Sequence, residues 1–237
     1  MAKTRKPNRR RRTRRRQRRG GKVIGMGGSG FVHYGKEGSE HVVCADGSEW
    51  REGEVAKIGG GVGKELARVE SIRAHYPKIS EFAILPTRVC AADPTHYQQF
   101  LASEPESDTK MVLTEYPEGP PEILFSPYGG TTVETIVQAP RGTHDIPKLI
   151  KALRVLQTHV KDMNANRVYH TDIKTDNMVY KDDTVYLIDF GRASVVPEDE
   201  DTSNLTDATD MGDAISRVSL KLPKGGSRRK SFQAKRK

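Results

Sequence analysis

Apolar positions come in strand-length runs over the first part of the chain and in helical stripes at two places. Lys22-Val23-Ile24 predicts a short strand and Phe31-Val32-His33-Tyr34 its return, around the glycine-rich turn Gly25-Met26-Gly27-Gly28-Ser29-Gly30. Residues 35–53 are polar and rich in turn formers, with a hairpin tip at Ala45-Asp46-Gly47-Ser48. Val55-Ala56-Lys57-Ile58 predicts another strand, closed by Gly59-Gly60-Gly61. Leu66, Val69 and Ile72 recur at helical spacing over 64–75, and Pro77 stops that helix. Residues 106–121, rich in Pro and Glu, predict a loop, and Ile123-Leu124-Phe125 a strand leading into Pro127-Tyr128-Gly129-Gly130. The strongest stripe is Ile146, Leu149, Ile150, Leu153, Leu156, Val160 and Met163. It predicts a helix over 146–163, capped by Asp145 and started by Pro147. Three short strands near 167–169, 177–180 and 184–189 follow, the last two joined by Lys181-Asp182-Asp183. Beyond Pro197 the chain is acidic and weakly patterned.

Charge divides the 237 residues differently. The first 22 hold 13 Lys and Arg and no acid, and residues 221–237 hold eight and no acid. The stretch between keeps 19 bases against all 31 acids, a net charge of −12. Basic tails of this kind cannot collapse on themselves. Residues 1–21 therefore predict a disordered Arg-rich arm, 22–220 a folded domain, and 221–237 a basic C-terminal tail. The length and Arg bias of the arm suit pairing with phosphates, so nucleic acid is an expected partner of the tails.

Cys44 and Cys90 form no C-x-x-C pair and have no His at ligand spacing, so two buried, idle thiols are expected, with no metal. The apolar runs are too short for a membrane span, and the charged N-terminus lacks the apolar core of a signal peptide. A monomer that is neither secreted nor membrane-bound is the expectation.

Four chemical elements occur in one order. Gly25-x-Gly27-x-x-Gly30-x-Val32 lies between two strands, where glycines let backbone N–H groups approach phosphate oxygens. Val55-Ala56-Lys57 puts an ammonium on a strand, where it needs a carboxylate to hold it. Glu70 on the following helix, one turn after Leu66 and beside Val69, is the first choice and Glu65 the second. His170-Thr171-Asp172-Ile173-Lys174-Thr175-Asp176-Asn177 packs a carboxylate, a cation and a carboxamide into one tight loop. Asp189-Phe190-Gly191 follows twelve residues after Asn177 and brings a second hard oxygen ligand. A phosphoryl transfer needs these types: a positioner for the hydroxyl, positive charge on the moving group, and oxygens for a hard cation.

Together the four resemble the protein-kinase signature, G-x-G-x-x-G-x-V, V-A-x-K, H-x-D-x-K-x-x-N and D-F-G, over residues 22–191. The Arg-rich start, P-Y-G-G, H-T-D-I-K-T-D-N-M and L-I-D-F-G further resemble the compact kinase-like proteins of large nucleocytoplasmic DNA viruses. The resemblance implies an α+β, bilobal fold, with an N-lobe at about 22–121 and a reduced C-lobe at about 126–220. It implies ATP as phosphoryl donor and Mg²⁺ or Mn²⁺ as cofactor. Gly25, Gly27, Gly28, Ser29, Gly30 and Val32 would then cover the nucleotide, and Lys57 would hold its phosphates and pair with Glu70. Asp172 and Lys174 would be catalytic, with the Lys marking the Ser/Thr type, and Asn177 and Asp189 would bind the metal. Protein hydroxyls are the implied acceptors, and a virion or the host cytoplasm or nucleus the implied location.

Three departures from the family pattern stand out. Thr171 replaces the Arg that commonly reads phosphorylation of an activation loop. No A-P-E follows Asp189, and Asp207-Ala208-Thr209-Asp210-Met211-Gly212 only faintly resembles the helix that anchors the catalytic loop. Pro127 falls where a backbone N–H normally meets adenine. The alternatives to an active kinase are a pseudokinase, or a basic nucleic-acid-binding virion or scaffold protein on a kinase-like core.

Overall fold

The computed structural model describes residues 22–27, 30–34, 43–48, 50–59, 61–103 and 121–222. The arm at 1–21, the turn residues Gly28 and Ser29, most of the loop expected at 106–121, and the tail from 223 lie outside them.

The architecture is mixed α+β. Five strands form an antiparallel sheet in the order β1-β2-β3-β5-β4: β1 (Lys22–Gly27), β2 (Gly30–Tyr34), β3 (Glu54–Gly59), β4 (Arg88–Ala91) and β5 (Glu122–Pro127). Alternation along β3 sends Ala56 and Ile58 into a small core with Ile123, Phe125, Ala92 and Tyr97, and leaves Lys57 on the other face. The register sets Val32 opposite both Gly25 and Lys57, so the glycine strand, Val32 and Lys57 form one row across three strands. Helix α1 (Val62–His75) packs against β5 and β4, and Gly63 at its start donates to Glu122 of β5 at 2.9 Å. Helix α1 ends before Pro77, as expected, and a 3-10 segment, Pro77–Glu81, continues the chain. Helix α2 (Pro94–Ser103) had no counterpart in the sequence reading.

The larger core gathers the rest. Helix α3 (Val133–Gln138) is short and capped by the Thr132 hydroxyl. Helix α4 (Ile146–Ala165) has the predicted start, with Asp145 accepting from Lys148 N and Pro in the first turn, and all seven residues of its predicted stripe are buried. Strands β6 (Thr131–Thr132), β8 (Met178–Lys181) and β9 (Thr184–Leu187) form one small antiparallel sheet, and β7 (Val168–Tyr169) pairs with β10 (Ser194–Val195). Helix α5 (Asp207–Ser219) packs on α4 through Met211, Ala214 and Val218. It lies where the sequence pattern looked weak, because only one narrow stripe of it is apolar. Gly129 and Gly130 are required where β5 turns into β6. A Cβ on Gly129 would stand 2.6 Å from Val179 Cγ2, and Gly130, at φ 99°, would put one 2.4 Å from Tyr180 O.

The expectation of idle thiols is corrected: Cys44 and Cys90 form a disulfide, with 5.8 Å between their Cα atoms. Cys44 makes a β-bridge with Ala92, which carries it across to the edge strand that holds Cys90. A sequence separation of 46 hides that pairing. Ala45-Asp46-Gly47-Ser48 does form a turn, closed by Gly47 N to Cys44 O, directly after the bridging Cys44. No helix among the described residues is long and apolar enough to cross a membrane.

Candidate functional site

Lys57 Nζ lies between two carboxylates, donating to Glu65 Oε2 at 2.7 Å and to Asp189 Oδ1 at 2.8 Å. The expected partner Glu70 is corrected: it is exposed, and Glu65 takes the contact. The buried stripe of α1 runs Val62, Glu65, Val69, Ile72, at helical spacing. Leu66 is only half-buried, so a stripe drawn through it turns the helix too far and brings Glu70 inward.

Burial works against each of the three charges. In Lys57, the attraction of Glu65 and Asp189 outweighs burial and holds its pKa above the ordinary value. In Glu65, burial outweighs Lys57, and the like charge of Asp189 adds to it, so its pKa is raised. In Asp189, burial is overcome by Lys57 and the carboxyl sits below its usual range. One cation shared by two carboxylates accounts for the split: Asp189 stays ionised, and Glu65 takes the first proton as pH falls.

Residues 170–177 sit against this cluster. Ile188 N donates to Asn177 O at 3.0 Å, and His170 Nε2 meets Ile188 O at 3.0 Å, so the loop is fixed to the residue before Asp189. Asn177 Nδ2 donates to both Asp172 O (2.9 Å) and Asp172 Oδ2 (2.8 Å), and Lys174 Nζ reaches Asp172 Oδ2 at 2.9 Å. The expected carboxylate, cation and carboxamide are thus one hydrogen-bonded unit. Asn177 spends its side-chain N–H groups on Asp172, and its side-chain oxygen Oδ1 has no hydrogen-bond donor among the described residues. Arg68 of α1 donates to Gly191 O, which ties the helix carrying Glu65 to the segment after Asp189. Gly25, Gly27 and Gly30 lie on the facing strands β1 and β2, with Val32 half-buried beside them. Pro127 ends β5 with no N–H to offer, and the next N–H, of Tyr128, is taken by Gly53 O at 2.7 Å.

Two anchors escaped the sequence reading or were only glimpsed in it. Asp207, fully buried at the start of α5, accepts from His170 N (2.7 Å) and Thr171 N (2.9 Å). It thereby holds Thr171 at φ 58°, a conformation that a β-branched residue adopts only under constraint. Glu134 of α3 accepts from Thr175 Oγ1 (2.5 Å), Gln138 Nε2 (2.9 Å) and Arg217 Nη2 (2.5 Å), joining α3, the loop and α5. Nothing in the spacing of Val133-Glu134-Thr135 marks that role; it exists only once α5 is in place.

His170 is fully buried against Phe190, with ring centroids 4.7 Å apart. Burial pushes its pKa below 6.5, so the folded ring stays neutral where an unfolded one would take a proton. A group with a depressed folded pKa binds fewer protons in the native state, so it withdraws stability as pH falls through about 6.5. His170→Gln should therefore flatten the fall in the urea midpoint between about pH 7 and pH 5.5. An unchanged pH slope in the variant would refute this account of His170. Neither the models of known protein families nor the curated proteins give a match to this sequence.

Proposed function

We propose that this chain is a bilobal, kinase-like phosphotransferase that moves the terminal phosphoryl group of ATP to Ser or Thr hydroxyls of proteins, with a reduced helical lobe. The observation that carries the reading is the shared ammonium, Lys57 between Glu65 and Asp189, with the Asp172–Lys174–Asn177 unit fixed beside it. A lysine gripped by two carboxylates on one face of the sheet is an expensive arrangement for stability alone, since burial opposes all three charges. It is economical if the lysine also meets phosphate.

The donor set suits a hard cation. Asp189 is ionised, and the Asn177 side-chain oxygen is free of donors among the described residues; Mg²⁺ takes few protein oxygens and completes its shell with water and phosphate. When bound, the ion neutralises charge on the transferring group. The glycines of β1 and β2, with Gly28 and Ser29 between them, would cover the phosphates, and Lys57 would hold them, steadied by Glu65. Asp172 would orient the acceptor hydroxyl and take its proton, while Lys174 offers positive charge at the same place. Base recognition would proceed without the Tyr128 N–H, which Gly53 already occupies.

The direct test is transfer of radiolabel from ATP, with Mg²⁺ or Mn²⁺, to generic basic and acidic proteins. Mg²⁺-ATP should also stabilise the fold, by about 2.7 kcal/mol at a hundredfold excess over Kd. Asp189→Asn should remove most of the Mg²⁺ dependence of that shift. The absence of any thermal shift at millimolar nucleotide would count against the reading, whatever the transfer assay returned.

A further inference from the structure

Asp189 carries its carboxylate on a left-handed backbone, at φ 63° and ψ 71°. A residue with a side chain keeps that conformation at a site only while its surroundings hold it. The aim of the carboxylate therefore depends on what fastens the chain on either side, as the aim of any metal ligand depends on the groups behind it.

The fastenings come from three directions. Before Asp189, Ile188 N donates to Asn177 O and His170 Nε2 meets Ile188 O, both at 3.0 Å. After it, Phe190 is fully buried, Arg68 of α1 donates to Gly191 O, and Thr171 Oγ1 donates to Arg192 O at 2.8 Å. The chain then enters β10, which pairs with β7. His170 and Thr171 are neighbours, so one dipeptide grips both sides of Asp189, the ring before it and the hydroxyl after it. Thr171 is itself left-handed, at φ 58°, and its N–H is fixed on the buried Asp207. A β-branched residue is a costly choice at such a position, which Gly, Asn or Asp enters more easily. The hydroxyl bond to Arg192 O gives the choice a reason.

We propose that Thr171 is a positioning residue for the metal ligand Asp189: its hydroxyl, bonded to Arg192 O, holds the left-handed turn that aims the Asp189 carboxylate, and does so in the unphosphorylated chain. The inference rests on the phosphotransferase reading above, in which Asp189 takes the metal. The side chains of His170, Arg68 and Thr171 all act on backbone carbonyls, those of Ile188, Gly191 and Arg192, so the grip asks for no added charge.

The experiment titrates the full chain with ATP by calorimetry, once in excess Mg²⁺ and once in EDTA, on protein whose mass shows no phosphate. The ratio of the two affinities is the readout, because it isolates the metal's contribution, whereas a merely looser fold weakens binding in both. Thr171→Val keeps the β-branch, and with it the backbone strain, and removes only the bond. It should cut the ratio by about fivefold, the scale of one hydrogen bond, with affinity in EDTA unchanged. Thr171→Ser keeps a hydroxyl and should stay within about twofold of the unaltered protein. Thr171→Gly accepts the left-handed backbone without strain, so it folds even if the Val variant does not, and it should cut the ratio as Val does. A change below about twofold in the Gly variant, or in a folded Val variant, overturns the proposal and leaves the phosphotransferase reading standing. So does an equal loss in EDTA, a Ser variant as poor as the Gly variant, or a metal effect that appears only after the chain is phosphorylated. No binding of ATP under either condition overturns both.

Discussion

Asp172→Asn is expected to lower phosphoryl transfer by at least about 100-fold while nucleotide affinity stays close to that of the unaltered protein. The substitution keeps shape and removes a proton acceptor. Asp172 touches neither Lys57 nor Asp189; its carboxylate is engaged by Asn177 Nδ2 and Lys174 Nζ, on the loop side of the cluster. Lys57 and Asp189 therefore keep their partners in the variant, and Asn177 keeps its bond to the Asp172 backbone oxygen. Lys57→Met makes the contrast. It leaves the buried Glu65 and the half-buried Asp189 with no shared cation, so binding itself should suffer. Single-turnover transfer and nucleotide titration, measured on both variants, separate the two. Equal loss of affinity in both would show that Asp172 belongs to the binding half of the site.

The second large effect is on stability. Asp207→Ala should cost about 3 kcal/mol, read as a drop in the urea or thermal midpoint. Two backbone donors, His170 N and Thr171 N, lose their acceptor, and each buried unsatisfied N–H costs about 1–3 kcal/mol. Thr171 then keeps its hydroxyl bond to Arg192 O but loses the carboxylate that fastens its left-handed backbone. Against this stands some relief, because burial already raises the pKa of Asp207 and so penalises its charge. The donors outnumber that relief, so the sign is a loss. Asp207→Asn is a useful companion: it keeps one acceptor but turns an NH₂ toward the other N–H, so it should fall between the two. A loss below about 1 kcal/mol in the Ala variant would mean that the loop finds other acceptors.

Elements whose side chains alternate or recur strongly were legible in the sequence. Helix α4 was read to within two residues because seven apolar positions and two capping residues agree. The strand bearing Lys57 was legible because glycines bracket it, and the strand before Asp189 because Lys181-Asp182-Asp183 turns into it. Tertiary partnership was not. Glu65 and Glu70 differ by five positions on one helix, and a stripe drawn through half-buried Leu66 picked the wrong one. Helix α5 carries just Met211, Ala214 and Val218 as buried apolar residues, too few to rise above an acidic background. Glu134 looks like a surface carboxylate in the sequence, and Asp207 stands out there only by a faint resemblance to an anchoring helix; both are buried hubs in the fold. Apart from Gln138, their partners lie 36–83 residues away, beyond the reach of any local pattern.

Helix α5 is buried along one stripe, and the opposite face, with Thr209, Asp213, Ser216 and Arg217, is open to solvent. A helix on the outside of a core is among the first parts of a protein to open under native conditions. The amides of His170 and Thr171 lie inside but donate to a carboxylate on that outer helix. Their protection against hydrogen exchange is therefore set by how long α5 stays docked, not by the packing of their own loop. Each excursion of α5 also releases Arg217 from Glu134, and with it the fastening on Thr175. One side of the loop bearing Asp172 is thus fastened only while a peripheral helix is seated, and the lifetime of that fastening belongs to the least buried layer of the molecule.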